Sequence, residues 1–243
     1  MEIMHLIANR DIYPVYQPIV NMATNDIVGY EALTRSPNNM PPNTLFRYAS
    51  ECGLIRNLDT LCIHNAIENA PNGKPIFINV MPITLVWLTI SGKIDKILNK
   101  ASQLIVFEIV EIERIPNNLE ELSLAVDKIR AYGFQIAIDD ISQGFGRLHL
   151  IPLFCPDYIK IDRTLAVNFS KHHNAVKKTI INLAAEIGTE VIAEGVETKE
   201  EFEALYNLGV EMFQGYYFAK PGQDYLDREK ITGGSIYYAE NRS

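Results

Sequence analysis

Eight polar side chains interrupt or end short apolar runs. Glu31 lies in Gly-Tyr-Glu-Ala-Leu-Thr-Arg, Asn79 in Ile-Phe-Ile-Asn-Val, Glu108 in Ile-Val-Phe-Glu-Ile-Val-Glu and Lys160 in Tyr-Ile-Lys-Ile-Asp. Asp139 and Asp140 follow Gln-Ile-Ala-Ile, Glu194 follows Val-Ile-Ala, and Gln214 stands in Met-Phe-Gln-Gly. Five carboxylates gathered around a single lysine repel one another, and either raise each other's pKa or require a cation. Oxygen donors without histidine neighbours suit a hard cation, Mg²⁺ or Mn²⁺, better than zinc. The five histidines (His5, His64, His149, His172, His173) form no HxxxH or HExxH arrangement, which argues against a zinc protease. Neighbouring strand residues point to opposite faces, so Asp139 and Asp140 share a site only where their strand is ending. One of them could then bridge two metals.

These residues need elements to bring them together. Eight β-rich runs recur along the chain: Tyr13–Val20, Ile27–Thr34, Ile76–Val80, Leu104–Ile109, Phe134–Ile138, Tyr158–Ile161, Val191–Ala193 and Met212–Phe213. The turn Asn21–Asp26 is too short for a crossover helix, so the first two runs should pair antiparallel and the rest parallel. Helical patterns over Asn118–Tyr132, Ala175–Ile187 and Glu200–Leu208 each end at a glycine, Gly133, Gly188 or Gly209, in the manner of C-terminal caps. Thr198 with Glu201 forms a capping box, which makes Ala-Glu-Gly-Val-Glu a strand-to-helix loop. The pattern predicts an α/β fold, a modified (β/α)8 TIM-type barrel with one antiparallel strand near the N-terminus, whose chemistry sits at the C-terminal strand ends. We expect a single domain over 1–243, with a core at about 13–221 and a C-terminal appendage at 222–243. Ser36–Asn43, rich in Pro and Asn, reads as a loop.

Composition narrows the function classes. The 243 residues are 47% hydrophobic and 21% charged, enough apolar character for a core. A net charge of −8 disfavours general binding of DNA, RNA or anionic membranes. Cys52, Cys62 and Cys155 contain no CxxC pair and suit a reducing compartment, so a cytoplasmic location is expected. The N-terminus lacks a signal-peptide core, and the most apolar window, Ile83–Ile90, is far shorter than a membrane span.

The same residues carry a family resemblance. Glu31-Ala32-Leu33, preceded by Gln17-Pro18-Ile19 and followed by Arg35, resembles the opening of EAL domains, bacterial phosphodiesterases of cyclic di-GMP. The series continues in order through Asn79, Glu108-Ile-Val-Glu111, Asp139-Asp140, Lys160-Ile-Asp162, Glu194-Gly-Val-Glu197-Thr198 and Gln214-Gly-Tyr-Tyr-Phe-Ala-Lys-Pro221. The resemblance implies that Glu31, Asn79, Glu108, Asp139 and Asp140 hold two divalent metals, Mg²⁺ or Mn²⁺, with Asp139 bridging. It implies that Lys160 orients or helps deprotonate the attacking water and that Glu194 holds a water at the metals, with Glu197 supporting them from outside the ligand set. Glu111 resembles the glutamate that ties down the loop after the aspartate pair. Arg35 should meet a substrate phosphate. Gln17, Leu33, Asp162, Gln214, Tyr216 and Pro221 should complete the substrate contacts, several of them at the guanine ends. The activity implied is hydrolysis of cyclic di-GMP to the linear dinucleotide pGpG, by a homodimer.

Two departures stand out. The loop after Asp140, which in active members usually reads Asp-Phe-Gly-Thr-Gly-Tyr-Ser-Ser, is here Asp140-Ile-Ser-Gln-Gly-Phe-Gly-Arg147. Asn168 stands near a position often acidic in the family. An alternative is therefore a weak or inactive EAL-type receptor or protein-interaction module. A barrel glycosidase needs two carboxylates and has no use for Asn79, Lys160 and paired aspartates.

Overall fold

A computed structural model describes residues 2–71, 73–110, 119–139 and 150–222. Glu111, Asp140, the 141–147 loop, His149 and the residues after 222, which carry several of the expectations above, lie outside the described residues.

A short helix, α1 (Glu2–Ala8), precedes two long strands, β1 (Tyr13–Asn21) and β2 (Asp26–Arg35). The turn between them follows from asparagine chemistry: Asn21 Oδ1 accepts the Ala23 and Thr24 amides at 2.8 and 3.1 Å, and Asn25 takes a positive φ of 58°. The strands pair antiparallel from Tyr13↔Arg35 to Asn21↔Asp26. Then follow α2 (Pro42–Glu51), α3 (Ile55–Glu68), β3 (Ile76–Val80), α4 (Pro82–Ile90), α5 (Lys93–Leu98) and β4 (Ile105–Ile109). The rest are α6 (Leu119–Ala131), β5 (Gln135–Ile138), α7 (Ile151–Phe154), β6 (Tyr158–Ile161), α8 (Arg163–Ala166), α9 (Lys171–Ile187), β7 (Glu190–Ala193), α10 (Lys199–Tyr206) and β8 (Met212–Phe213). Strands β2 to β8 run parallel, and β8 meets the inverted β1 antiparallel to close an eight-stranded barrel.

The three glycine-ended helices are present. Gly188 caps α9 with φ 72°, and Thr198 and Glu201 complete the capping box of α10. Helix α9 begins four residues earlier than the pattern suggested, because Ser170 caps it by accepting the His173 amide. The segment read as a loop yields to α2 at Pro42, where proline is pre-set for the first helical turn. Packing also begins before Tyr13: Ile3 and Leu6 of α1 join Leu45, Ala49, Leu58 and Leu61 in a small apolar cluster over α2 and α3. At the other end, Gly222 exchanges backbone hydrogen bonds with Tyr16 of β1.

The main apolar core lies between strands and helices; a second cluster fills the barrel itself. The second is built from Ile19, Phe77, Val106, Ala137, Tyr158, Ile192 and Met212. Gly29 completes this layer by making room, since a Cβ there would lie 2.9 Å from the Phe77 ring. The inward-facing position two residues nearer the mouth holds Gln17, Glu31, Asn79, Glu108, Asp139, Lys160, Glu194 or Gln214. An apolar plug thus floors a ring of polar side chains. Among the described residues no helix is long and apolar enough to cross a membrane.

Candidate functional site

Lys160 stands at the centre of that ring, with its side chain 1% exposed. Its Nζ lies 2.8 and 2.9 Å from the two carboxylate oxygens of Glu108, 2.5 Å from Glu194 and 3.2 Å from Glu31. Glu31 also accepts a hydrogen bond from Asn79 Nδ2 at 2.9 Å and one from Gln214 Nε2 at 2.6 Å. Gln214 Nε2 donates in addition to Gln17 Oε1, and Gln17 Nε2 to the Ala219 carbonyl. Four β-strands, β1 to β4, together with β6 and the residues just beyond β7 and β8, therefore supply one connected network.

Electrostatics in this buried space are lopsided. Burial opposes ionisation of Glu31, yet the Lys160 charge and the Gln214 and Asn79 amides outweigh it and hold its pKa below the ordinary value. Glu108 goes the other way: burial, then the negative charge of Glu31, drive its pKa well up in spite of Lys160. Burial likewise pushes Glu194 up to about 8. Burial works against the Lys160 ammonium, but Glu108, Glu194, Glu31 and Asp139 together raise its pKa well above the normal lysine value. One ammonium is shared among more carboxylates than it neutralises.

A cavity of about 380 Å³ opens above the ring. Its walls include Gln17, Glu31, Leu33, Asp139, Glu197 and Tyr216. Gln214 Oε1 is buried at this wall without a hydrogen-bond partner among the described residues, an acceptor open to a ligand donor. Asn79 and Leu33 also line a neighbouring cavity of about 220 Å³ beneath α2 and α3.

The expected residues distribute as follows. Glu31, Asn79, Glu108, Lys160, Glu194, Gln17 and Gln214 are joined by hydrogen bonds and ion pairs, and Asp139, Leu33, Glu197 and Tyr216 line the cavity with them. Arg35 ends β2 with Nη1 donating to the Thr34 carbonyl, outside the cavity lining. Asp162 is drawn into backbone work, capping α8 by accepting the Thr164 and Leu165 amides. Pro221, half-buried, sits one residue before the Gly222 bridge to β1. Two contributors escaped the sequence reading. Asp59 of α3, 2% exposed, accepts the Met81 amide at 3.0 Å, just past the β3 strand that carries Asn79. Arg163 clasps the loop after Glu194 through the Gly195 carbonyl and Glu197.

The donor set fits divalent cations. Glu31, Asn79, Glu108 and Asp139 offer hard oxygen donors, and burial and mutual repulsion raise the cost of ionising Glu108, a cost that a divalent cation would relieve. Among the described residues no group of three or more acidic, histidine or cysteine side chains is arranged to hold a metal ion, because the Lys160 ammonium occupies the point on which Glu31, Glu108 and Glu194 converge.

Fold and site together define an (β/α)8 barrel with an acidic, lysine-centred mouth. The EAL domain model matches residues 1–221, and the chain belongs to the EAL domain family. A stand-alone EAL protein from Vibrio cholerae O395, solved with c-di-GMP bound, superposes with a TM-score of 0.76 at 31% identity, over 87% of this chain and 92% of that one. BlrP1 of Klebsiella pneumoniae, solved as a manganese/c-di-GMP complex, matches with a TM-score of 0.77 at 26% identity, over 87% of this chain and 56% of that one. The probable cyclic di-GMP phosphodiesterase PdeG of Escherichia coli is 32% identical over 93% of this chain, which spans 47% of PdeG. The chain thus covers about half the length of that relative.

Proposed function

We propose that this chain is a divalent-metal-dependent phosphodiesterase that opens cyclic di-GMP to linear pGpG. The observation that carries this reading is the ring itself: buried oxygen donors from successive strands, with more negative charge than Lys160 balances, under a cavity walled by amides and an exposed tyrosine. The family membership and the relatives solved with c-di-GMP supply the substrate class.

Glu31, Asn79, Glu108 and Asp139 would hold two ions, Mg²⁺ or Mn²⁺, together with Asp140. Bound there, the ions supply Lewis-acid stabilisation of the phosphoryl oxygens and acidify water. The chain's own groups do the rest. The Lys160 ammonium, held by three carboxylates, fixes a donor where the attacking water must be oriented. Glu194 Oε1, 2.5 Å from that ammonium, would hold a water at the metals. Glu197 would support these groups from outside, and Glu111 would tie down the loop after the aspartate pair. Arg35 would meet a substrate phosphate, and Gln17, Leu33, Asp162, Gln214, Tyr216 and Pro221 would line the nucleotide. We further infer one domain acting as a homodimer in a bacterial cytoplasm, without a nucleic-acid polymer or a membrane as partner.

A second reading, a receptor that binds cyclic di-GMP without cleaving it, is favoured by the Ile141–Arg147 sequence alone. Incubation with cyclic di-GMP and Mn²⁺, with products resolved by chromatography and Glu31→Ala alongside, separates the two. Linear dinucleotide from the wild type only supports the hydrolase. Binding without product supports the receptor, and equal turnover by Glu31→Ala removes the site assignment.

A further inference from the structure

Arg163 begins α8, three residues after Lys160, and reaches across to the loop that follows β7. Its Nη1 donates to the Gly195 carbonyl and lies 2.9 Å from Glu197 Oε1, while its Nη2 lies 3.4 Å from Glu201 Oε1. Glu201 completes the clasp from the other side. Its Oε2 accepts the Glu197 amide at 2.7 Å and the Thr198 amide at 3.2 Å. Gly195 adopts φ +65°, and a Cβ there would lie 2.8 Å from Arg163 Cβ, so the loop backbone packs directly on the arginine stem. The residue just before it, Glu194, is the carboxylate in contact with Lys160.

We propose that Arg163 is a positioning residue: it ties the strand end carrying Lys160 to the loop carrying Glu194 and Glu197, and so fixes the separation of those groups. An exposed ion pair alone contributes little. Here one planar guanidinium spans a backbone carbonyl and two carboxylates, geometry that a lysine cannot reproduce. The carbonyl contact matters most, because it holds main chain rather than a mobile side chain. The kinetic consequence rests on the phosphodiesterase reading; the mechanical one does not.

The test uses the full chain and Arg163→Met, Arg163→Lys, Gly195→Ala and the double variant Arg163→Met/Gly195→Ala, with Lys160→Met as control. Hydrogen exchange reads the clasp without any turnover. Amides of residues 196–198 should exchange about tenfold faster in Arg163→Met, with β4 protection unchanged. With cyclic di-GMP and Mn²⁺, kcat should fall about tenfold while KM moves less than about threefold, the pattern of a loss felt mainly in the transition state. Arg163→Lys should fall between wild type and Arg163→Met. Gly195→Ala should act by the same route, so the double variant should lose no more than the worse single one.

Unchanged exchange at 196–198 overturns the proposal whatever the activity. So does faster exchange throughout the chain, which would make Arg163 merely structural, and so do additive losses in the double variant. If the wild type yields no product, the phosphodiesterase reading fails, and if Lys160→Met retains full turnover the assignment of Lys160 fails; in either case the exchange result still judges the clasp. If Lys160→Met is inactive and Arg163→Met fully active, the clasp has no catalytic consequence and the proposal alone falls.

Discussion

Replacing Lys160 by methionine keeps most of the length of the side chain, one heavy atom shorter, and removes its charge. In the native protein that charge lies within 3.2 Å of Glu31, Glu108 and Glu194, with the Lys160 and Glu108 side chains 1% and 0% exposed. Removing one partner of a buried ion pair typically costs about 3–5 kcal/mol, because the remaining charge is left uncompensated. For a chain of this size that corresponds to a fall in Tm of about 6–20 °C. The carboxylates can relieve the strain by taking up protons. Glu194 already has a pKa near 8, above its unfolded value, so the folded state binds protons that the unfolded chain releases. Stability of the variant should therefore be highest near pH 5 and decline as the pH rises toward 8. The assay is urea denaturation of wild type and Lys160→Met at pH 5 and pH 8, in EDTA and in Mn²⁺. Mn²⁺ should restore part of the loss at pH 8, since a cation then replaces the missing ammonium. A variant as stable as the wild type in EDTA at pH 8 would refute the claim that Lys160 neutralises this ring.

Other substitutions probe the frame around the site. Asp59→Leu leaves the Met81 amide without its carboxylate acceptor and should cost about 1–3 kcal/mol by denaturation, whereas Asp59→Asn, which retains an acceptor, should cost less. Gly215→Ala would place a methyl 2.0 Å from the Val196 carbonyl oxygen, against backbone that cannot yield, and should give insoluble protein on expression. Lys177 is fully buried, donates to the Ala166 carbonyl and lies over the Phe169 ring; burial lowers its pKa to about 8. Between pH 8 and 10.5 the unfolded chain holds a proton there that the folded chain has lost, so stability should rise with pH by up to about 3 kcal/mol relative to Lys177→Met. Equal pH profiles for the two proteins in denaturation would contradict this.

The site was legible because a charged residue inside a β-rich run has little reason to be there unless the strand end serves chemistry. Glu108 in Ile-Val-Phe-Glu-Ile and Lys160 in Tyr-Ile-Lys-Ile announce themselves in this way, and each has an apolar residue two positions earlier that floors the barrel. The strand pairing was legible for a related reason: only Asn21–Asp26 was too short for a crossover. The first helices were harder. Helices α2, α3 and α4 lack side-chain caps at their starts, so no Ser, Thr or Asp marks them. Helix α3 buries Leu58, Asp59, Leu61, Ile63, Asn65 and Ala66, which breaks any single apolar stripe, and α4 is apolar nearly all round. Asp59 and Arg163 went unnoticed because a lone charge on a helix reads as solvated surface. Their partners, a backbone amide and a backbone carbonyl, leave no mark in the sequence. Asp162 shows the converse: a motif position whose carboxylate also caps α8.

The most direct test of the central claim is the product formed from cyclic di-GMP by the wild-type chain, with Mn²⁺ and with EDTA, at equal ligand occupancy. The account predicts linear pGpG in Mn²⁺ and none in EDTA. Intact cyclic di-GMP in both, with the ligand demonstrably bound, would contradict it.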